Sequence, residues 1–223
     1  MLTVHHLNNS RSQRILWLLE ELGVEYDLKK YERNKETMRA PASLFKVHPL
    51  GKSPVVTDGD VTVAESGAII EYLIETYGNG QLIPPPGTES RRRYTYWVHF
   101  AEGSMMPFLL MTLVFNRVEI ADMPFFVRPI VKKISGSVKS GFIQPEIKLQ
   151  LDYIESELAP TGWFAGNSFS AADIQMSFPL EAAAARGGLN AKYPNLTRFL
   201  ERIHARPAYK RAIERGGEYG IGV

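Results

Sequence analysis

Apolar positions in the first third of the chain change their spacing repeatedly, and each change marks an element. Residues 2–7, LTVHHL, read as a short strand. The segment 22–31 contains EYDLKKY, whose polar and apolar residues alternate as in a second strand. Between them, Ile15, Leu16, Leu18, Leu19 and Leu22 recur at helical spacing. Strand, helix and strand over about thirty residues is the βαβ pattern, which pairs its strands in parallel through a right-handed crossover. A polar, helix-compatible stretch follows over 36–47. Val55-Val56 and Val61-Thr62-Val63 then flank Asp58-Gly59-Asp60, predicting a hairpin with strands at 54–57 and 61–64 and a turn at Asp58-Gly59. From Ser66, the apolar positions Ile69, Ile70, Tyr72, Leu73 and Tyr77 predict a helix that stops at Gly78. The resulting order is βαβαββα, an α/β unit.

Residues 79–88, NGQLIPPPGT, cannot continue that helix because proline removes backbone donors and clashes with the preceding turn. They set the expected division: an α/β domain over 1–78, a linker over 79–88 and an all-α domain over 89–223. In the last of these the periodicity predicts helices over 89–117, 124–158, 171–186, 195–204 and 207–215, the second broken near Gly136 and Gly141. One helix start can be argued in atomic terms. Ser170 caps the helix over 171–186, the Asp173 carboxylate reaches back to the Ser170 N–H, and Phe169 with Ile174 supplies an apolar staple. Asp173 is therefore read as a structural cap rather than a catalytic acid.

Composition narrows the function. Lys and Arg number 26 against 24 Asp and Glu, so no strong pull toward nucleic acid or a membrane surface is expected. The basic run Arg91-Arg92-Arg93 reads as a solvated helix face. The chain has no cysteine, which excludes disulfides, thiolate metal sites and a protein thiol nucleophile. Any thiol chemistry must use a thiol carried in by a ligand. His5, His6, His48, His99 and His204 form no metal-ligand spacing, and no Ser-His-Asp arrangement stands out. The amino terminus lacks a basic start followed by a long apolar stretch, and no run approaches the roughly 18 apolar residues of a membrane helix. A cytoplasmic protein is the expectation.

Candidate chemistry sits at three junctions. Pro54 precedes a strand and lacks a ladder donor, so it belongs at a strand start or turn. Were Ser53-Pro54 cis, the Ser53 N–H and C=O could face outward and grip an extended peptide by its main chain. Glu65-Ser66 opens a helix. Ser66 and the unpaired N–H groups there suit a carboxylate, and Glu65 suits an adjacent amino group, although a plain helix cap explains the pair as well. Asn8-Asn9-Ser10-Arg11 joins the first strand to the first helix, where Ser10 could cap the helix or donate its hydroxyl to an anion.

Five stretches, in order, carry a resemblance: NNSRSQRILWLLEELGVEY, HPLGKSPVV, ESGAIIEYL, the proline-rich linker and FSAADIQMSFPL. Together they resemble a cytosolic glutathione transferase, nearest in wording to the serine-type branch of fungi and bacteria. The resemblance implies a thioredoxin-like domain followed by an all-helical one, with glutathione as co-substrate and no tightly bound cofactor or metal. It gives Ser53, with Pro54 as the cis residue, a backbone pairing to the cysteinyl unit; many relatives carry valine where Ser53 stands. Glu65 and Ser66 match the pair that holds the γ-glutamyl head. Lys52, and less directly His48, match positions that reach the glycyl carboxylate. Asp173 matches a structural capping position. Ser10 matches the serine that stabilises the glutathione thiolate, with Asn9 and Arg11 as alternative donors. A thiol of pKa about 8.5 is only a few per cent ionised at neutral pH, so a hydrogen bond or positive charge at sulfur favours the nucleophilic form.

The resemblance further implies a small hydrophobic electrophile as second substrate, glutathione-dependent peroxide reduction as a second activity, and a homodimer. The acceptor would lie against the long helix, among Trp97, Phe100, Ala101, Met105, Met106, Phe108, Leu109 and Phe115, residues whose spacing fits a core equally well. The competing expectation is a non-catalytic protein on the same fold that binds glutathione or hydrophobic ligands, or regulates a partner.

Overall fold

The structure is a computed structural model, and it describes residues 1–34, 36–217 and 219–220. The expected helical domain thus includes residues 218 and 221–223, which lie outside the described residues. Four strands, β1 (Leu2–Leu7), β2 (Asp27–Tyr31), β3 (Val55–Asp58) and β4 (Val61–Ala64), form one sheet in the order β2-β1-β3-β4. The β1–β2 pair is parallel, with Val4 opposite Leu28, as the crossover through α1 (Ser12–Leu22) requires. The β1–β3 pair is antiparallel, with Val4 opposite Val56, and β3–β4 is a hairpin closed by Asp58 opposite Val61. Its two-residue loop is Gly59-Asp60 rather than Asp58-Gly59. Gly59 takes φ 57°, the left-handed conformation that a tight hairpin needs and that glycine adopts without steric cost.

The helix expected over 36–47 shrinks to α2 (Ala42–Phe45). Asn34 explains the loss. Its Oδ1 accepts from the N–H groups of Glu36 at 3.0 Å and Thr37 at 2.8 Å and from the Thr37 hydroxyl at 3.1 Å. A side chain that satisfies these backbone donors offers the segment an alternative to helix. Pro41, extended at φ −69° and ψ 156°, then starts α2. Beyond it, α3 (Ser66–Tyr77) packs on α1 and against the sheet. Residues 78–88 carry the chain to the helical part without helix or strand.

In that part α4 (Glu89–Phe100) and α5 (Met106–Ile120) join through a π-helical turn at Ala101–Met105 into one helix of 32 residues. The same device joins α6 (Arg128–Val138) to α7 (Gln144–Leu158) through Lys139–Ile143. The expected breaks at Gly136 and Gly141 do not occur: the first glycine lies inside α6 and the second inside the π turn. Proline accounts for both turns. Met106 and Gln144, each immediately before a proline, donate to the carbonyls of Ala101 and Lys139, five residues back. Widening the turn by one residue accommodates a ring that an α-helix would press against the carbonyl four residues behind it. The 32-residue helix also contains an 18-residue window of mean hydropathy 1.4, long and apolar enough to cross a membrane by composition. Its buried face, Tyr94, Trp97, Val98, Ala101, Met105 and Leu109, instead enters the core. The helices α8 (Ala171–Ala182), α9 (Pro194–Ala205) and α10 (Pro207–Gly216) complete the bundle.

One apolar core runs through both parts, from Val4 and Val56 in the sheet through Leu16 and Trp17 to Trp97, Phe164 and Phe199. The joint is α1. Trp17 meets the rings of Phe169 and Tyr209 at 5.6 and 5.2 Å, and Glu20 and Glu21 on its rim bind Arg211 and Arg206. At the start of α8, Ser170 and Asp173 form a capping box. The fully buried Asp173 carboxylate accepts from Phe164 N–H at 2.9 Å, Ser170 N–H at 2.8 Å and the Ser170 hydroxyl at 3.0 Å. Asp173→Ala leaves two buried N–H groups without partners. It should lower stability by about 3 kcal/mol, read as a leftward shift of the urea-unfolding midpoint; a shift within error would remove Asp173 from this role.

Candidate functional site

A cavity of about 250 Å³ opens where the sheet meets the long helix. Two of its walls come from the α/β unit. The loop before β3 contributes His48, Leu50, Lys52, Ser53 and Pro54, and the β4–α3 junction contributes Ala64, Glu65 and Ser66. Arg11 at the start of α1, Glu102 in the π turn and Leu110 on α5 close the third side.

Each wall has a local cause. The Ser53-Pro54 bond is cis. The Ser53 hydroxyl donates to the His5 carbonyl at 2.8 Å and accepts the Leu7 N–H at 3.2 Å, so serine here ties the loop to the end of β1. Among the described residues no hydrogen bond takes up the Ser53 N–H or C=O, which leaves that pair for an extended ligand. His48 Nδ1 accepts the Leu50 N–H at 3.4 Å, leaving Nε2 as the donor. Glu65 stands at φ 71° and ψ 128°, a conformation a non-glycine residue adopts at a cost of about 1–3 kcal/mol. Its carbonyl still accepts the Ile69 N–H at 2.9 Å, so the residue turns the chain sharply into α3 while its exposed carboxylate reaches the cavity. Ser66 is buried beneath it, and its oxygen accepts from Arg14 Nη2 at 3.0 Å, which leaves the hydroxyl hydrogen to donate into the cavity.

The loop between β1 and α1 places its three candidate donors differently. Ser10 is buried and is not among the residues that line the cavity. Its oxygen lies 2.7 Å from Ser12 Oγ and accepts the Ser12 N–H at 3.2 Å, and Ser12 Oγ lies 2.8 Å from His6 Nδ1. Burial, then Lys30, push the His6 pKa down to about 4, against a hydrogen bond of the ring to the Gly216 backbone. His6 is therefore neutral near pH 7, Nδ1 accepts from Ser12, and the Ser10 hydroxyl donates inward along the chain. Asn9, at φ 51°, accepts the Gly220 N–H on Oδ1 at 2.8 Å. Arg11 lines the cavity and grips Glu102 with Nε 3.0 Å from both carboxylate oxygens.

The sequence reading passed over Arg14, Glu102 and Leu110. Arg14 is fully buried on the apolar face of α1. It donates to the Gln175 carbonyl at 2.6 Å and to Glu102 Oε1 at 2.5 Å, besides Ser66. Burial draws the Glu102 carboxyl up, but Arg14 and Arg11 outweigh it and hold the pKa below its ordinary value. An arginine at a core position of an apolar helix is the signal that was available, since it demands a buried acceptor. None of the eight residues expected along the acceptor wall lines this cavity. Trp97, Ala101, Met105, Met106 and Leu109 are core, while Phe100, Phe108 and Phe115 pack partly buried against it. Among the described residues no cluster of side chains has metal-ligating geometry.

Comparison with known proteins identifies relatives over nearly the whole chain. Residues 1–75 match the model of the glutathione S-transferase N-terminal domain, and residues 142–207 match that of the glutathione S-transferase C-terminal domain. The chain is 42% identical to glutathione S-transferase 3 of Schizosaccharomyces pombe, over 96% of this chain and 88% of that one. The chain belongs to the glutathione S-transferase family. It is 30% identical to glutathione S-transferase 1 of Saccharomyces cerevisiae, over 99% of this chain and 97% of that one. A crystal structure of a glutathione S-transferase from Actinobacillus pleuropneumoniae superposes with a TM-score of 0.80 at 34% identity, covering 99% of this chain and 94% of that one. The thioredoxin-like unit followed by a helical domain is thus the family's fold.

The low His6 pKa has a measurable consequence. Between pH 6.5 and about 4 the unfolded chain binds a proton at this position and the native protein does not. Stability therefore falls as pH drops through that window, by about 3 kcal/mol in all. Asp173, which burial raises to about 6, acts oppositely over an overlapping range, so the native protein and His6→Gln should be compared directly. In urea titrations from pH 7 to 4 the variant should lose less stability than the native protein; parallel curves would contradict the buried, neutral His6.

Proposed function

We propose that this cavity binds glutathione and that the protein activates its thiol for transfer to a hydrophobic electrophile. The observation that carries the reading is the convergence of the cis Ser53-Pro54 turn, Glu65-Ser66 and Lys52 on one cavity. An extended tripeptide fits it by parts. Glu65 attracts the γ-glutamyl ammonium, Ser66 and the first N–H groups of α3 hold the adjacent carboxylate, and Ser53 pairs with the cysteinyl main chain. Lys52 and His48 Nε2 reach the glycyl carboxylate. The thiol then lies toward Arg11 and the loop carrying Ser10. Arg11 supplies positive charge at sulfur, and Ser10, by turning its hydroxyl from Ser12 toward the ligand, supplies a hydrogen bond. Both favour the thiolate. The thiolate forms a C–S bond to the electrophilic carbon as the leaving group departs with its electron pair; the thiol proton has already gone to solvent. Reduction of organic hydroperoxides by the same thiolate is a second activity of this reading.

The division at residues 79–88, a cytoplasmic location and a homodimer belong to the same proposal. The absence of cysteine suits a reducing compartment. Pairing of two copies is supported by Phe45 and Leu50, large apolar side chains 54% and 59% exposed.

One observation favours the competing reading, a glutathione-binding protein with negligible turnover: the Ser10 hydroxyl is engaged by Ser12. The two are separated by the ionisation of bound glutathione, followed by ultraviolet thiolate absorption, together with conjugation of an aryl halide. Ser10→Ala should bind glutathione within about threefold of the native protein and lose tenfold or more in turnover, about 1.4 kcal/mol or more of stabilisation. Arg11→Ala should raise the pKa of the bound thiol. Unchanged turnover in Ser10→Ala would leave Arg11 or the Asn9 amide as the activating group, and tight glutathione binding without turnover in the native protein would favour the binding reading.

A further inference from the structure

Residues at and just after the end of α10 reach α1, α8 and the β1–α1 loop in turn. Gly216 presses on α1 so closely that a Cβ there would overlap Gln13 Oε1 and stand 3.0 Å from Leu16 Cδ1. Gly217, at φ 93°, then redirects the chain, a left-handed value that glycine takes without steric cost. The Tyr219 hydroxyl donates to Glu181 Oε2 on α8 at 2.8 Å, and its ring lies 6.3 Å from that of Phe178 on the same helix. The Phe178 ring also carries the guanidinium groups of Arg11 and Arg14, each 5.2 Å from its centre. Gly220, the next residue after Tyr219, gives its N–H to Asn9 Oδ1 at 2.8 Å.

Both ends of this strap are fixed by needs of their own. Glu181 is buried, and a buried carboxylate requires donors at its oxygens. The Tyr209 hydroxyl at 2.6 Å and His204 Nε2 at 3.0 Å meet Oε1, while Tyr219 meets Oε2. At the other end, Asn9 stands at φ 51° with its side chain in an exposed position. A backbone N–H can only donate, so Gly220 fixes which end of the Asn9 amide is turned toward it. From the sheet side, Arg33 donates to the Asn8 and Asn9 carbonyls at 3.2 and 3.4 Å. The loop that leads into Ser10 and Arg11 is therefore gripped between the residue that follows β2 and one that lies 211 positions beyond Asn9.

We propose that Tyr219 and Gly220 are positioning residues for thiol activation, strapping the loop that carries Asn9, Ser10 and Arg11 to α8 and holding it at the cavity. This rests on the transferase reading above. Lys52, Ser53, Glu65 and Ser66, which that reading gives to glutathione, come from other walls of the cavity, so the strap governs activation rather than affinity. A loop released on this side would present its donors to the thiol in fewer of its conformations, lowering turnover with little effect on binding.

The test turns on one donor: Gly220→Pro removes the N–H, and Gly220→Ala keeps it. With an aryl halide as acceptor, kcat of the proline variant should fall about fivefold, the equivalent of one hydrogen bond. Its KM for glutathione should stay within about twofold of the native value, and the alanine variant should recover most of the lost kcat. Tyr219→Phe, which keeps the ring and loses the bond to Glu181, should lower kcat in the same way. A merely structural role would shift the urea-unfolding midpoint and leave kcat of the folded protein unchanged; that result, or a loss confined to KM, would overturn the inference while leaving the transferase reading intact. If the native protein binds glutathione without turnover, the transferase reading fails, and ultraviolet thiolate absorption per bound glutathione at fixed pH decides the strap. The absorption should be lower in Gly220→Pro than in the native protein, and equal absorption would overturn it. A native protein that binds no glutathione would overturn both.

Discussion

The buried guanidinium of Arg14 is the interaction on which the geometry of the site depends. Moving a full charge out of water costs several kcal/mol even after relaxation, and only close, oriented partners recover it. Here they come from three places at once: Ser66 from the start of α3, Glu102 from the π turn and the Gln175 carbonyl from α8. Holding this one cation brings the cavity-lining edge of the α/β unit against the helical domain at a fixed separation. The cleft between them is therefore held by a charge that has no other place to go, while the apolar contacts of Trp17 supply the bulk of the adhesion.

Around that anchor, polar side chains that could have served the ligand are used to hold backbone, and backbone is left to serve the ligand. The Ser53 hydroxyl binds the end of β1, freeing the residue's own N–H and C=O. Ser66 accepts from Arg14 and keeps its proton for the cavity. Glu65 takes a strained backbone conformation so that its carboxylate can reach over the helix start. Valine at position 53 would leave the same main-chain pair but lose the tie to β1, so the serine is a structural substitution and not a change of chemistry.

The order of elements in the α/β unit, the crossover and the capping box were legible in the sequence because each rests on local signals: alternation in the strands, a glycine at the hairpin turn and Ser170 three residues before Asp173. The pairs Ser53-Pro54 and Glu65-Ser66, which line the cavity, were legible for the same reason, since they sit at junctions where a loop enters a strand and a strand turns to helix. What escaped was long-range or competitive. Asn34 claims the backbone donors that a helix over 36–47 needed, a contest that apolar periodicity does not register. Glu102 and Leu110 looked like ordinary members of a long helix, because which face meets the cleft depends on the packing of α1 nearly a hundred residues earlier. Ser10 was placed by its neighbours in the chain, yet the direction of its hydroxyl is set by His6, whose neutrality comes from burial rather than sequence.

The π turn at Ala101–Met105 links these points. Pro107 cannot donate to the carbonyl four residues behind it, and the extra residue taken up by the wider turn rotates everything that follows by roughly one helical position. Glu102, inside the turn, is set against Arg11 and Arg14; Leu110, beyond it, is set on the cavity. The residue that neutralises the buried charge and the residue that walls the cavity on α5 thus share one register, set at the π turn before Pro107. A change that restored an α-helical turn there would rotate α5 relative to α4, and the Glu102 contact with Arg14 and the Leu110 wall of the cavity would be displaced together.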